Sequence, residues 1–118
     1  MMAKRRGVLG LTETVMVSGR KEAVTLRARI DTGAARCSID TRLAEHLGIG
    51  SVSSSRIVKS AHGRELRRIA FFDIEMQGMR YRSSFSITDR DHMKYRVLVG
   101  RNLLMKGRFL IDPGKGSR

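Results

Sequence analysis

The chain is 118 residues long and carries 24 Lys and Arg against 11 Asp and Glu, a formal net charge of +13. That length fits a single domain spanning 1–118, and a 41% hydrophobic share is enough to build a core, which excludes wholesale disorder. One Cys excludes a disulfide-stapled scaffold, and no stretch approaches the ~18 apolar residues of a membrane helix, so a soluble, cytoplasmic protein with no membrane partner is expected.

In chain order, Lys4-Arg5-Arg6 and the apolar run Gly7 to Leu11 have the outline of a signal peptide, but the run is too short and Thr12-Glu13-Thr14 ends it. Period-two alternation then predicts strands. Val15 to Val17 form one. Val24, Leu26, Ala28 and Ile30 share a face of the next, with Thr25, Arg27 and Arg29 opposite, and Ser18-Gly19-Arg20-Lys21 turns the chain between them. Asp40 to Leu47 predicts a helix that Asp40 caps and Gly48 ends. Ser51 to Ser55 reads as a surface loop. Arg56 to Ser60 and Arg64 to Phe71 form a hairpin around Ala61-His62-Gly63. The change of parity between Phe71 and Phe72 predicts a bulge. Gly78 turns the chain, Tyr81 to Thr88 and Tyr95 to Val99 are further strands, Asn102 to Lys106 is a short helix, and Phe109 to Ile111 is a last strand. The sum is an all-β, barrel-like domain with one or two short helices.

Ile30-Asp31-Thr32-Gly33-Ala34 carries the chemistry. An apolar strand delivers Asp31 to a rigid position, the Thr32 hydroxyl can bond neighbouring backbone, and Gly33 lets the chain turn sharply. Alone, the triplet also fits an ordinary Asx turn. Further along, Arg96-Val97-Leu98-Val99-Gly100-Arg101-Asn102-Leu103-Leu104 is an apolar strand, then Gly, then a helix start. The two motifs in this order, with a hairpin between them, resemble the retropepsin family of aspartic proteases over roughly residues 24–112. Lys59 to Glu65, Asp89 to Arg96 and Arg108 to Gly114 look like a bacterial and archaeal group of that family often labelled "ATP-dependent zinc proteases" and encoded beside ATP-grasp peptide ligases that add glutamate to protein ends.

The resemblance implies a closed barrel of the acid-protease fold, active as a two-fold homodimer. Asp31 is then the catalytic residue, with Thr32, Gly33 and Ala34 supporting its turn. A flap at about 56–70 carries Ser60, Ala61, His62, Gly63 and Arg64 at its tip, and Gly100, Arg101 and Asn102 form a structural element. Aspartic proteolysis needs two carboxylates sharing one proton. The chain holds a single Asp-Thr-Gly, because Asp40, Asp73, Asp89, Asp91 and Asp112 lack the turn sequence, so the second carboxylate has to come from a second copy.

In retroviral relatives an acidic residue follows Asp-Thr-Gly-Ala and pairs with the Arg of Gly-Arg-Asn. Here Ala35 and then Arg36 stand there, so Arg101 needs another partner, Asp112 or a main-chain carbonyl. Ala35 and Arg36, with Arg64 on the flap, are expected to line a basic groove for a peptide or protein substrate of acidic character, and a ligase is a possible associate. No cofactor or metal is expected. His46, His62 and His92 are scattered and Cys37 stands alone, without His-Glu-x-x-His or Cys-x-x-Cys. Two rival readings stay open: a non-cleaving peptide-binding or ligase-regulating module of the same fold, and a basic RNA- or ribosome-associated protein. The 5% aromatic share offers few rings for stacking on bases, which counts against the second.

Overall fold

Alternation of apolar and polar residues sets which way each strand faces, and the barrel follows from it. The computed structural model describes residues 6–50, 54–60 and 63–116. Strands run in the order β1 (Val8–Leu9), β2 (Thr12–Ser18), β3 (Ala23–Ile30) and β4 (Cys37–Asp40), followed by helix α1 (Thr41–Leu47). Next come β5 (Ser54–Ser60), β6 (Gly63–Met76), β7 (Met79–Thr88) and β8 (Val97–Val99), then α2 (Arg101–Lys106) and β9 (Leu110–Ile111). The main sheet has the order β2-β3-β8-β4-β7-β6-β5. Pairing of β2 with β6 closes its first six strands into a barrel and leaves β5 outside, hairpinned onto β6.

The inward parity fills the barrel with Val15, Val17, Ala28, Ile30, Ile39, Phe72, Ile74, Phe85, Val97 and Val99, all in one buried cluster. Phe72 and Phe85 meet edge to face at 5.5 Å, a geometry aromatic pairs favour. Helix α1 adds Leu43, Ala44 and Leu47 to this core. Asp40 caps it as read from the sequence, its Oδ2 accepting from the Leu43 amide at 3.2 Å.

Three expectations are corrected, and a short strand is added. No bulge interrupts β6. Its register with β7 is unbroken from Arg68↔Ile87 to Met76↔Met79. Ala70, Phe72, Ile74 and Met76 point inward throughout, and Phe71 is an outward residue, 45% exposed, with the Arg82 guanidinium 5.5 Å from its ring centre. An outward aromatic shielded by a cation mimics a parity change in the sequence. Ser54 and Ser55, read as loop, begin β5, while 51–53 lie outside the described residues. The strand before Gly100 starts at Val97 rather than Tyr95. The run Gly7 to Leu11 holds β1, which pairs in parallel with β9, Val8 beside Leu110 and Leu9 beside Ile111. The hairpin at Gly78 follows its sequence signal: Gln77 and Gly78 both take positive φ, 52° and 76°, the conformation that two-residue hairpin turns need.

Candidate active site

Asp31 follows the last residue of β3. Its amide donates to the Val99 carbonyl at 2.9 Å, which ties it to β8. Its Oδ1 accepts from the Gly33 amide at 2.8 Å, and the Ala34 amide closes the turn onto the Asp31 carbonyl at 3.2 Å. The carboxylate is half-buried, with Thr32 and Gly33 exposed beside it. The Thr32 hydroxyl has no hydrogen-bond partner among the described residues, so the turn is locked by the Asp31 carboxylate and by backbone rather than by Thr32.

The Gly-Arg-Asn element holds the other side of this turn. The Arg101 amide donates to the Ala34 carbonyl at 2.8 Å, and the Asn102 amide to the Ala35 carbonyl at 3.2 Å. Arg101 Nη1 donates to the Thr32 carbonyl at 3.0 Å. Of the two partners expected for Arg101, the main-chain carbonyl is the one found. Asn102 Oδ1 accepts from the Cys37 amide at 3.0 Å, and its Nδ2 donates to the Ser84 carbonyl at 3.0 Å, stitching α2 to β4 and β7. Gly100 is required by proximity: a Cβ there would lie 2.5 Å from the Arg36 carbonyl carbon.

The remaining sequence candidates are placed less centrally. Ala35 is exposed. Arg36 Nη1 donates to Ser84 Oγ at 2.6 Å. In the hairpin of β5 and β6, Ser60 pairs with Gly63, Arg64 is exposed, and Ala61 and His62 lie outside the described residues. Ile57 and Leu66 face one another across this hairpin, 67% and 71% exposed. Cys37 is fully buried in the core, and burial pushes its thiol pKa up, against nucleophilic use. His46 is exposed and meets Glu22 at 2.6 Å. Among the described residues no three His, Cys, Asp or Glu gather as a metal site, so the donors that zinc requires are not assembled by them.

Sequence reasoning missed the corner at the far end of β4. Asp40, 1% exposed, accepts from the Arg90 amide at 2.8 Å and from Arg96 Nη2 at 2.9 Å in addition to Leu43. Burial raises its pKa, but the hydrogen bonds from Arg90, Arg96 and Leu43 outweigh that and hold the carboxyl below its ordinary value. Arg90 itself is only 9% exposed. Its segment has no periodicity to announce a buried arginine.

A hollow of about 360 Å³ lies by the β2–β3 turn, lined among others by Arg20, Gly48, Phe71 and Arg82, and it includes neither the Asp-Thr-Gly turn nor the Gly-Arg-Asn element.

The aspartyl protease family profile matches residues 14–103. None of the curated proteins matches the chain. Among solved structures, a Legionella pneumophila protein of unknown function aligns with TM-score 0.63 and 18% identity, covering 92% of this chain and 94% of that one. EIAV protease complexed with the inhibitor HBY-793 aligns with TM-score 0.67 and 17% identity over 83% of this chain and 88% of that one. Simian foamy virus protease aligns with TM-score 0.60 and 15% identity over 80% and 91%. At these identities the likeness shows the fold: a mostly-β closed barrel of six strands with two helices, matching retropepsin-like structures. No described helix is long and apolar enough to cross a membrane.

Proposed function

The chain belongs to the aspartyl protease family, and on that premise we propose that it is an endopeptidase whose catalytic dyad is Asp31 of one copy and Asp31 of a second, related by a two-fold axis. The observation that carries this reading is Asp31 itself: a half-exposed carboxylate on a turn braced by two separate elements. The other aspartates lie off this turn. Asp40 is buried in its corner, Asp73 meets Arg80 and Arg82, Asp89 and Asp112 each accept a backbone amide in their own turns, and Asp91 meets Arg42. A second Asp31 supplies an equivalent carboxylate, and the exposed Thr32 hydroxyl, without a partner among the described residues, suits a contact with a second turn.

In this dyad the two carboxylates hold one proton between them. The ionised one takes a proton from water, which adds to the scissile carbonyl, while the protonated one gives its proton to the carbonyl oxygen. Collapse of the tetrahedral adduct breaks the C–N bond as the amine nitrogen takes up a proton, leaving one new acid and one new amine. The exposed Ile57–Leu66 pair on the hairpin suits a flap that closes over an extended peptide and excludes water.

The substrate proposed is an acidic peptide, drawn by the net charge of +13. Glutamate-rich ends made by a ligase of the ATP-grasp type are one such substrate, a reading that rests on the resemblance to the group named for zinc and not on any metal. The test is cleavage of a mixed peptide library by wild type and Asp31→Asn across acidic to neutral pH, beside sedimentation analysis of the wild type. Cleavage that the mutant loses, by a species of twice the chain mass, supports the reading. Cleavage by a monomer, or cleavage that the mutant retains, overturns it.

A further inference from the structure

Deepening the endopeptidase reading, on which it rests, we propose that Arg29 sets specificity by receiving an acidic side chain of the bound peptide, with one Arg29 from each copy on either side of the cleaved bond. Backbone hydrogen bonds fix where Arg29 stands. The Ile30 amide donates to the carbonyl of Leu11, next to β2, and the Asp31 amide donates to the carbonyl of Val99 on β8, both at 2.9 Å. Successive amides therefore still point to opposite edges at Asp31, as they do in an extended chain, and side chains alternate between faces in the same stretch. Ile30 is 7% exposed and belongs to the core cluster. Asp31 and Arg29 thus project from the other face, one side-chain repeat of about 7 Å apart.

Arg29 is exposed and its charge is uncommitted. Arg27, its neighbour on the same face of β3, is occupied: Nη1 donates to Thr14 Oγ1 and Nη2 to Thr12 Oγ1. Among the described residues the Arg29 guanidinium has no hydrogen-bond acceptor and no ion pair, with Asp31 or with any other carboxylate. Its register partners across the strands are Thr12 on β2 and Leu98 on β8, and neither carries a charge. The face that holds the catalytic carboxylate therefore also presents an unpaired guanidinium one repeat away.

A peptide held across the dyad is extended, with a residue every ~3.4 Å. A side chain within two positions of the cleaved bond is then level with Arg29. The axis that relates the two Asp31 relates the two Arg29 as well and sets them on opposite sides of it. A substrate carboxylate offers the planar guanidinium two oxygens in charge-assisted bonds. A glutamine in its place offers one neutral acceptor. The net charge of +13 draws acidic peptides from a distance whatever their order of residues. Arg29 decides where along the peptide the acid has to stand. A cation so near the dyad also favours its ionised form on every peptide, so the informative quantity is a ratio between peptides rather than a rate.

The experiment uses peptides of one composition and one net charge. A single glutamate is moved from the far end to each of the four positions nearest the cleaved bond in turn, exchanging places with a glutamine. Wild type is expected to favour Glu over Gln in kcat/KM about tenfold at one position on each side, between the strength of an exposed ion pair and that of a buried charge-assisted bond. Arg29→Gln brings both ratios near unity together, and Arg29→Lys leaves an intermediate value because it keeps the charge without the fork. Arg29 is exposed, so both variants are expected to fold, and thermal melts check this. Fluorescence anisotropy of the same peptides on Asp31→Asn protein, with and without Arg29→Gln, reads binding without turnover. Wild-type ratios near unity at all four positions, or ratios that Arg29→Gln leaves in place, overturn the Arg29 assignment and leave the endopeptidase standing. A preference on one side alone overturns the paired placement. Absence of cleavage, with Glu still preferred in binding until Arg29 is replaced, overturns the endopeptidase and leaves the Arg29 site standing.

Discussion

Asp31 follows the end of β3, Asp40 is the last residue of β4, and each precedes a threonine. Their surroundings diverge at the next residue. After Asp31-Thr32 comes Gly33, whose amide turns back onto the carboxylate, and the chain leaves in an open turn that α2 holds from outside. After Asp40-Thr41 comes Arg42, the chain enters α1, and the carboxylate caps it. Asp31 keeps lone pairs for other partners. Asp40 spends its own on two amides and a guanidinium and is sealed from water. A carboxylate whose bonds are all made inside the chain is architecture, and one held in place with its oxygens open is available for chemistry.

Substitution separates the two most sharply. Asp31→Asn is expected to lower cleavage on the order of 10⁴-fold or more while moving the melting temperature by no more than about 2–4 °C, as a half-exposed position allows. Asp40→Ala reverses the pattern. It removes the helix cap, strands the Arg90 amide and frees Arg96, for a loss of about 2–4 kcal/mol and roughly 10–20 °C in melting temperature. Calorimetry beside a peptide assay reads both. A stable Asp40→Ala, or an Asp31→Asn that unfolds, would erase the distinction.

Acid sharpens the same contrast. Asp40 has its pKa lowered in the folded chain, so below the ordinary value near ~3.9 the unfolded chain binds a proton that the native state resists. Its contribution is whole above that value and disappears as pH falls through the folded pKa. Glu13 adds in the same sense: burial raises its pKa, but the Gly10 amide and Lys115 outweigh it. Urea titrations from neutral pH downward should show stability falling in this window for wild type. Asp40→Asn, which keeps a capping side chain without the charge, should start lower and fall less. Parallel curves for the two proteins would refute the role given to Asp40.

Sequence made the Asp31 side of this comparison legible and the Asp40 side only in part. A Gly after Asp-Thr, an apolar strand before it, and Gly-Arg-Asn further on are local signals, and local signals survive in sequence. The capping role of Asp40 was legible for the same reason, since its helix starts within one turn. Its partner Arg90 lies in an aperiodic stretch and Arg96 in a segment read as a strand, and the meeting is a product of β4 and β8 running side by side. The pairing of β1 with β9 is also long-range and only two residues deep, too short for any period. Phe71 shows the opposite error: the pattern was there, but an exposed aromatic under Arg82 carried the wrong face.

The smallest expected effect concerns how the open carboxylate stays placed. Arg101 holds the Thr32 carbonyl from α2 by an exposed bond, while the Arg101 and Asn102 amides hold Ala34 and Ala35. Arg101→Gln leaves the two backbone bonds in place, so its stability loss should stay near 0.5–1 kcal/mol. Activity should fall further, about tenfold in kcat with KM little changed, because a turn that drifts misplaces the reacting oxygens without altering the peptide groove. Arg101→Lys should recover part of this, its ammonium reaching the carbonyl as a single point donor. If kcat follows stability alone, and lysine rescues neither, Arg101 is merely a surface contact and the turn is held by backbone. A kcat loss exceeding the stability loss makes Arg101 the positioning residue that Asp31 needs and Asp40, braced by its own helix, the Arg90 amide and Arg96, does without.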